Sequence, residues 1–298
     1  MSTDYRSGGQ IAFVFDLGHP RMSIRVSIHT VAGAAVIAAA TLRARPAPAA
    51  GAPAGAPLVP DTFTVASRAL GEPRRVNVHV PTGYARANAT RFPVLYMPDG
   101  GMDEDFPHVV ATVDSLIALH VIRPVIVVGI PNTARRRDLT GPTRVATDSA
   151  IAPHVGGSAA FRAFLRDELL PAVDARYRTT SERAIVGESL AGLFVAETFL
   201  TTPTLFTHYV AFDPSIWWNH AALLDSAPSR LAAGVFAGRT LFLSSSRDDV
   251  DGYTARLAAA LRAAAPRGLA WTFVPRPDLT HATIFHAAGP AALAGALR

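Results

Sequence analysis

The spacing of hydrophobic and polar positions alternates between two periods along this chain, which predicts a sheet flanked by helices. Residues 62–69 and 75–80 alternate apolar and polar side chains, as in an antiparallel pair of strands with one buried face. The runs 92–97 and 124–130 are apolar almost throughout, which is typical of strands buried on both faces. Between them, residues 108–119 carry apolar side chains at helical spacing.

The second half of the chain continues this alternation after a long polar loop. The loop, residues 131–157, is of a length that is often functional, and Ser158 is predicted to cap the helix that follows it. The remaining predicted elements are the strand 183–187, the helix 190–200, the strands 208–212 and 239–245, the helix 251–264, the strand 269–275 and the helix 284–297. We therefore expect an α/β fold over residues 61–298, with a mostly parallel central sheet, an antiparallel N-terminal strand pair and helices on both faces.

The first sixty residues differ in composition from the rest. From Met22 onward, Arg25 precedes an apolar run from Val31 to Leu42, and small residues follow at 47–50. This order is typical of a secretory signal peptide, and an apolar run of about a dozen residues is too short to form a stable membrane span. We expect residues 1–60 to be a leader and an Ala/Pro/Gly linker. The protein is then exported if translation starts at Met22, and cytoplasmic otherwise.

Composition narrows the possible classes of function. The 28 basic residues are all arginines and outnumber 23 acidic residues, for a net charge of +5. These arginines are scattered along the chain, which argues against nucleic-acid binding. Because the chain has no cysteine, disulfides, thiolate metal sites and a cysteine nucleophile are excluded. A small-molecule substrate is the partner that remains, and no metal or organic cofactor is implied.

A candidate nucleophile lies where a predicted strand meets a predicted helix. Residues 187–192 read Gly-Glu-Ser-Leu-Ala-Gly, the pattern of a nucleophile elbow, in which a serine stands on a strained turn with its hydroxyl exposed. Gly187 and Ala191 supply the small side chains that such a turn requires. The same pattern surrounds Ser158, but no strand precedes it. Ser189 is therefore the predicted nucleophile, and an ordinary strand-to-helix turn is the alternative.

A serine nucleophile needs a base, and in this type of fold the histidine follows a late strand of the sheet. Of the 10 histidines, His281 and His286 come after the predicted strand 269–275. His281 follows a short polar loop from which a side chain can reach back to the serine. We predict that His281 is the base and that His286 is a packing or rim residue.

The base in turn needs an acceptor that orients it, and this acid should lie between the serine and the histidine in the chain. After the strand 239–245, Asp249 and Asp248 are the preferred candidates. Asp251 is more simply explained as the cap of the next helix. A Ser-His pair without an acid is the remaining alternative.

Two backbone amides are predicted to stabilise the oxyanion of the reaction. The first belongs to Leu190, the residue after the nucleophile, and the second to the loop after the strand 92–97. That loop contains Gly100 and Gly101, which allow the backbone to approach a substrate closely. Gly101 is our choice for the second donor and Gly100 for a substrate contact, with an ordinary glycine-rich turn as the alternative.

Together these residues resemble the putative-esterase family, which includes esterase D-type enzymes, enterochelin and salmochelin esterases, feruloyl esterases and secreted mycolyltransferases. The resemblance covers about residues 61–297 and is closest to the siderophore-esterase-like branch. Besides the elbow, it rests on Phe-Pro-Val-Leu-Tyr-Met-Pro-Asp-Gly at 92–100, Val-Val-Gly-Ile at 127–130, Arg-Asp-Leu-Thr at 137–140, Glu-Leu-Leu-Pro-Ala-Val-Asp-Ala-Arg-Tyr at 168–177 and Pro-Ser-Ile-Trp-Trp-Asn at 214–219.

The resemblance implies an α/β-hydrolase fold, a Ser-His pair with or without an acid, no metal, and hydrolysis of carboxylic esters. It also implies that residues matching Arg137 and Asp138 shape the floor of the pocket. This chain departs from the family at Ala191, where glycine is usual, and at Leu279, where relatives often have an acidic residue shortly before the histidine.

Three further residues are candidates for contact with substrate. Arg137 could pair with anionic oxygens of an acyl or catecholate group, although the run 135–137 could equally be solvated charge. Trp217 and Trp218 could form a wall for an acyl or aromatic group, with core packing as the alternative for one of them.

The sequence thus predicts a serine ester hydrolase that forms an acyl-enzyme, either siderophore-esterase-like or a general carboxylesterase. One alternative is an acyltransferase, in which an alcohol replaces water as the acceptor. The other is a catalytically silent binding module on the same fold.

Overall fold

A computed structural model describes residues 59–87 and 89–298. The predicted signal peptide and nearly all of the linker lie outside these residues, so export stays a prediction. No helix within the described ranges is long and apolar enough to cross a membrane.

The strands of the described residues form one eight-stranded sheet in the order β1-β2-β4-β3-β5-β6-β7-β8. Their bounds are β1 Asp61–Ser67, β2 Glu72–His79, β3 Phe92–Pro98, β4 Ile126–Ile130, β5 Thr179–Glu188, β6 His208–Phe212, β7 Arg239–Ser246 and β8 Leu269–Arg276. Strand β2 is antiparallel to β1 and β4, and the pairs from β4 to β8 are parallel. The predicted mostly parallel sheet with an antiparallel opening pair is confirmed.

Helices cover both faces of this sheet, as predicted. They are α1 Phe106–Ala118, α2 Arg135–Leu139, α3 Ala146–Ala150, α4 Ser158–Phe164, a π-helical turn Leu165–Leu169, α5 Leu170–Arg176, α6 Leu190–Thr201, α7 Trp218–Ala233, α8 Tyr253–Ala264 and α9 His281–Ala296, with a 3₁₀ turn at Tyr84–Arg86. Apolar side chains of α1 and α9 pack on one face, and those of α4 to α8 pack on the other. All seven residues of β3 are buried, which explains why its sequence is apolar without alternation.

The register of the central strands decides where the site forms. Glu188, the last residue of β5, pairs with Phe212, the last residue of β6. The next residues, Ser189 and Asp213, therefore leave the sheet side by side at its carboxyl edge, where ligands bind in open α/β sheets.

Several local predictions were incomplete. The long loop contains the short helices α2 and α3, and α7 was not predicted because it begins with a left-handed turn and contains Pro228. Helix α9 begins at His281 rather than at 284, since Thr280 and Thr283 form a capping box there. The predicted capping role of Ser158 is wrong: its buried hydroxyl has no hydrogen-bond partner, and Gly157 is the cap residue.

Candidate active site

Ser189 occupies the turn between β5 and α6, with φ of 59° and ψ of −122°. This conformation costs a residue other than glycine about 1–3 kcal/mol and persists only where the surroundings hold it. Its N–H donates to the carbonyl of Phe212 at 3.1 Å, and its own carbonyl accepts the N–H of Ser215 at 3.0 Å. The turn that presents the Ser189 hydroxyl is therefore tied to the end of β6.

Small residues are required around the elbow because the end of β5 and the start of α6 are in direct contact there. A side chain at Gly187 would place its Cβ 2.6 Å from the backbone of Ala191 and 2.8 Å from the Ala191 methyl group. The alanine that stands where relatives usually have glycine is accommodated and fully buried. The absent side chain of Gly187 leaves room for that methyl group.

The imidazole of His281 is held by Asp213, which was not among the predicted orienting acids. The Nδ1 atom of His281 lies 2.6 Å from Oδ2 of Asp213, whose side chain is 4% exposed. Ser246 fixes this carboxylate by donating its backbone N–H to Oδ1 at 2.9 Å and its hydroxyl to Oδ2 at 2.7 Å. The pair orients the ring and directs Nε2 away from Asp213.

The electrostatics of this pair favour its charged form. Burial pushes the pKa of Asp213 upward, but the hydrogen bonds from His281 and Ser246 outweigh it and hold that pKa below its usual value. The hydrogen bond to Asp213, supported by the charge of Glu188, raises the pKa of His281 against the opposing effect of burial. An imidazolium formed during a reaction would therefore be stabilised.

The prediction that Asp249 or Asp248 orients the imidazole is wrong. The Asp249 carboxylate accepts the backbone N–H groups of Tyr253 and Thr254 at 2.9 and 3.0 Å, so it stabilises the start of α8. Oδ2 of Asp248 accepts the backbone N–H of His281 at 2.7 Å and holds the main chain rather than the ring. Asp251 does not cap α8 either, because Gly252 is the cap residue.

A signal for Asp213 was present in the sequence. It directly follows the predicted strand 208–212, just as the rejected candidates follow the strand 239–245. Both strands end at the same edge of the sheet, so either could supply the acid. His286, predicted to be a packing residue, stacks on His108 with ring centroids 3.8 Å apart and so joins α9 to α1.

The two predicted oxyanion donors, the backbone amides of Leu190 and Gly101, differ in whether the protein already provides them with an acceptor. Leu190 is the first residue of α6, where backbone N–H groups have no acceptor within the helix. The N–H of Gly101 instead donates to Oε2 of Glu104 at 2.6 Å. The structure therefore does not present Gly101 as a free donor, because a carboxylate three residues further on already accepts its hydrogen.

The predicted substrate contact at Gly100 is not supported, because both backbone polar groups of this residue already have partners. Its N–H donates to the carbonyl of Ile130 at 3.1 Å, and its carbonyl accepts from the side-chain amide of Asn77 at 2.8 Å. A Cβ at this position would lie 2.2 Å from the backbone nitrogen of Ile130. Glycine is needed here because the loop after β3 crosses β4 in direct contact.

Arg137 forms an ion pair with Asp138 and is not free to bind an anion. Its Nε donates to Asp138 at 2.7 Å and its Nη2 donates to Glu72 at 2.7 Å. The same hydrogen bond from Arg137 lowers the pKa of Glu72 to about 2, against the effect of burial. Asp138 is also paired with the buried Arg74. Contact between Arg137 and an anionic substrate group is therefore not supported, because protein carboxylates satisfy the guanidinium.

Comparison with known proteins identifies the family. The sequence profile of the family described as "Putative esterase" matches residues 67–246, more than half of the chain. The chain belongs to the putative-esterase family. The description of this family refers to esterases, which hydrolyse ester bonds.

Individual relatives within this group share parts of the sequence. A segment of 114 residues is 36% identical to ferri-bacillibactin esterase BesA of Bacillus subtilis and covers 34% of this chain and 39% of that protein. A segment of 99 residues is 40% identical to siderophore triacetylfusarinine C esterase of Aspergillus fumigatus and covers 32% of each chain. The chain thus matches 39% and 32% of the lengths of these two relatives.

The fold agrees with family membership. A crystal structure of an IroE-like serine hydrolase from Shewanella oneidensis superposes with a TM-score of 0.73 and 28% identity, over 80% of this chain and 79% of that chain. The predicted α/β-hydrolase fold is therefore confirmed. Among the described residues of this family member, no group of three or more His, Asp or Glu side chains is placed to hold a metal ion.

The tryptophan pair of this esterase-family chain divides into one core residue and one exposed residue. Trp218 is 4% exposed and its indole N–H donates to the carbonyl of Gly141 at 2.7 Å, so it packs in the core, and its contact with substrate stays a prediction. Trp217 is 45% exposed and follows Ser215 by two residues. It is the aromatic side chain of the pair that can meet a ligand.

Glu188, which was not predicted as a site residue, stands directly before the nucleophile. Its Oε1 atom is buried and has no hydrogen-bond partner. Burial, together with the negative charges of Asp105, Asp213 and Asp99, raises the pKa of Glu188 to about 7, while the positive charge of His281 opposes the rise. The site therefore contains a carboxyl group whose pKa lies near neutrality.

Proposed function

We propose that this chain is a serine-dependent carboxylic ester hydrolase that works through an acyl-enzyme. The observation that carries the proposal is the 2.6 Å contact between His281 Nδ1 and the buried Asp213, at the edge of the sheet where the strained turn presents Ser189. A strained serine beside an oriented imidazole is the arrangement that activates a hydroxyl as a nucleophile.

In the proposed first step, Oγ of Ser189 attacks the ester carbonyl and its proton passes to Nε2 of His281, since Nδ1 is committed to Asp213. The N–H of Leu190 stabilises the resulting oxyanion. When the tetrahedral intermediate collapses, the bond to the alcohol breaks and the alcohol takes the proton from Nε2. Water then attacks the acyl-enzyme with the same imidazole as base. The carboxylic acid leaves, and the proton on Nε2 returns to Oγ of Ser189, which regenerates the hydroxyl.

The hydroxyl must turn toward the imidazole before this step. Oγ of Ser189 lies 3.4 Å from Oγ of Ser215, and it makes no hydrogen bond with His281 in the described structure. Catalytic hydrogen bonds are often long in unliganded sites and tighten when substrate binds. The proposal requires a rotation of the Ser189 side chain from Ser215 toward Nε2.

For the substrate, we propose a siderophore-type ester. One relative is by name a siderophore esterase and another a ferri-bacillibactin esterase, and the exposed Trp217 provides an aromatic surface of the kind that flat acyl groups pack against. Arg135 and Arg137 do not require an anionic substrate, because Arg135 is paired with Asp99 at 2.7 Å and Arg137 with Glu72.

The covalent step can be tested with a fluorophosphonate probe, which reacts with an activated serine. We expect a single adduct, located on Ser189 by peptide mass spectrometry, because Ser189 is the serine of the strained elbow. The matched control is Ser158→Ala, which removes the buried serine with the same surrounding sequence pattern and should keep the adduct. An adduct elsewhere, or none in folded protein, would contradict the proposal and favour a binding module.

A second test uses the pH profile of kcat/KM in the variant Glu188→Gln. The base must be neutral to act, and the negative charge of Glu188 helps to keep His281 protonated by raising its pKa. Removing that charge lowers the pKa of His281, so the acidic limb of the profile should move to lower pH. Activity at and just above neutral pH, where Glu188 is ionised in the wild type, should then rise relative to the alkaline plateau, and the two profiles should converge at lower pH, where Glu188 is protonated and uncharged.

The control for this profile is Asp167→Asn, which removes an exposed carboxylate paired with Arg166. It should leave the profile of the wild type unchanged. An acidic limb that stays at the same pH in Glu188→Gln would show that the charge of Glu188 does not influence the pKa of His281.

A further inference from the structure

Three consecutive residues directly after the tryptophan pair have a left-handed backbone. Asn219, His220 and Ala221 have φ values of 50°, 53° and 60°. Residues with a side chain disfavour this region because Cβ crowds the following carbonyl oxygen, and no glycine relieves the crowding here. Such a segment persists only where neighbouring contacts hold it, and strained segments of this kind cluster at functional sites.

The contacts that hold the turn come from the long loop between α2 and α4. Oδ2 of Asp148 accepts the backbone N–H of Asn219 at 2.8 Å, and the Thr143 hydroxyl lies 3.0 Å from the same oxygen. The side-chain oxygen of Asn219 accepts the backbone N–H of Arg144 at 3.0 Å. Asp148 is 8% exposed, so these hydrogen bonds are largely shielded from competing water.

On its other side, the turn is continuous with the nucleophile. The N–H of Ala221 donates to the carbonyl of Trp217 at 3.1 Å, which closes the turn on the backbone of the exposed tryptophan. Two residues before Trp217, the N–H of Ser215 donates to the carbonyl of Ser189. The backbone of Trp217 thus lies in a segment that is tied to Ser189 on one side and closed by the left-handed turn on the other.

We propose that Asp148 is a positioning residue that holds the Trp217 indole beside Ser189 and thereby gives the site a preference for flat aromatic acyl groups. The inference rests on the proposed ester hydrolysis at Ser189. An aromatic acyl group gains by packing against a fixed indole, whereas an acetyl group offers no surface for this contact. The long loop then supports substrate selection without itself touching the reacting atoms.

Two esters with the same leaving group test the proposal: para-nitrophenyl acetate and para-nitrophenyl 3-phenylpropanoate. In Asp148→Ala, kcat/KM for the phenylpropanoate should fall about tenfold, mainly through KM, while the value for the acetate stays within about twofold. Asp148→Asn keeps an acceptor oxygen and should restore most of the preference. The matched control Asp167→Ala removes an exposed carboxylate of the π-helical turn and should change neither ester.

A double-mutant cycle shows whether Asp148 acts through the tryptophan. Trp217→Ala should cause the same selective loss, and the double variant should lose no more than either single variant, because both remove the same contact. Independent, multiplicative losses would overturn the proposal. Equal losses for both esters would overturn it too, since they would indicate a general structural role. If Asp148→Ala does not fold, Thr143→Val removes the neighbouring hydroxyl with little change of shape and should show the same selective loss in weaker form.

A readout that needs no turnover separates this proposal from the proposed function. Fluorotryptophan introduced at the three tryptophans gives fluorine NMR signals, of which the Trp217 signal is assigned by its absence in Trp217→Phe. In Asp148→Ala the Trp217 signal should shift and sharpen as the indole gains motion. An unchanged signal would refute the positioning role. If the wild-type protein hydrolyses no ester, the proposed function fails, and this signal still decides whether Asp148 holds the indole.

Discussion

Replacing Ser189 with alanine is expected to lower kcat for para-nitrophenyl acetate by a factor on the order of 10⁴ or more, because the acyl-enzyme cannot form without the hydroxyl. The rate that remains would come from binding and from the amide of Leu190. The measurement is release of nitrophenolate, corrected for the uncatalysed reaction.

The fold should survive this change. The conformation at residue 189 is held by backbone hydrogen bonds to Phe212 and Ser215, and alanine keeps both. The thermal unfolding midpoint should therefore stay within a few degrees of the wild type, since the hydroxyl is only partly buried and its contact with Ser215 is long at 3.4 Å. Substantial activity in a folded Ser189→Ala protein would exclude this residue as the nucleophile.

Replacing Asp213 with asparagine should lower kcat by about 10³-fold to 10⁴-fold. An asparagine amide can donate to Nδ1 of His281 and so favour the tautomer in which Nε2 carries the proton and cannot act as a base. Loss of the carboxylate also removes the main cause of the raised pKa of His281, so the acidic limb of the residual activity should move to lower pH. Both changes appear in the pH profile of kcat/KM.

The matched control for this variant is Asp249→Asn. Asp249 was the leading candidate from the sequence, but its carboxylate accepts two backbone N–H groups at the start of α8. Its loss should cost about 1 kcal/mol of folding stability and leave kcat nearly unchanged. If Asp249→Asn loses as much activity as Asp213→Asn does, the assignment of the orienting acid would be incorrect.

The contact between Gly101 and Glu104 determines which backbone amide can stabilise the oxyanion. A carboxylate oxygen at 2.6 Å occupies the amide that the sequence analysis assigned to the oxyanion. For the Gly101 amide to assist the reaction, the Glu104 side chain must first give up this hydrogen bond. Of the two predicted donors, the Leu190 amide is therefore the one that the proposed mechanism uses.

Local patterns were sufficient to predict most of the architecture. The change between strand and helix periods, the buried runs of β3 and β4, and the small residues around Ser189 are properties of short segments. A strand, a tight turn and a helix follow from such segments through backbone sterics and burial alone. For this reason the sheet, the position of the elbow and the place of His281 after the last strand could be predicted without coordinates.

Partner choice among similar side chains required the folded structure. Asp213, Asp248 and Asp249 all follow buried strands and have the same local signals, yet the register of β5 against β6 brings Asp213 to the imidazole. In the same way, the side chains of Arg137 and Trp218 are of types that often bind ligands. In the folded structure their N–H groups donate to Glu72 and to the carbonyl of Gly141, which are distant in sequence. Hydrogen bonds and ion pairs reach only a few ångströms, so the identity of each partner depends on how remote segments of the chain pack.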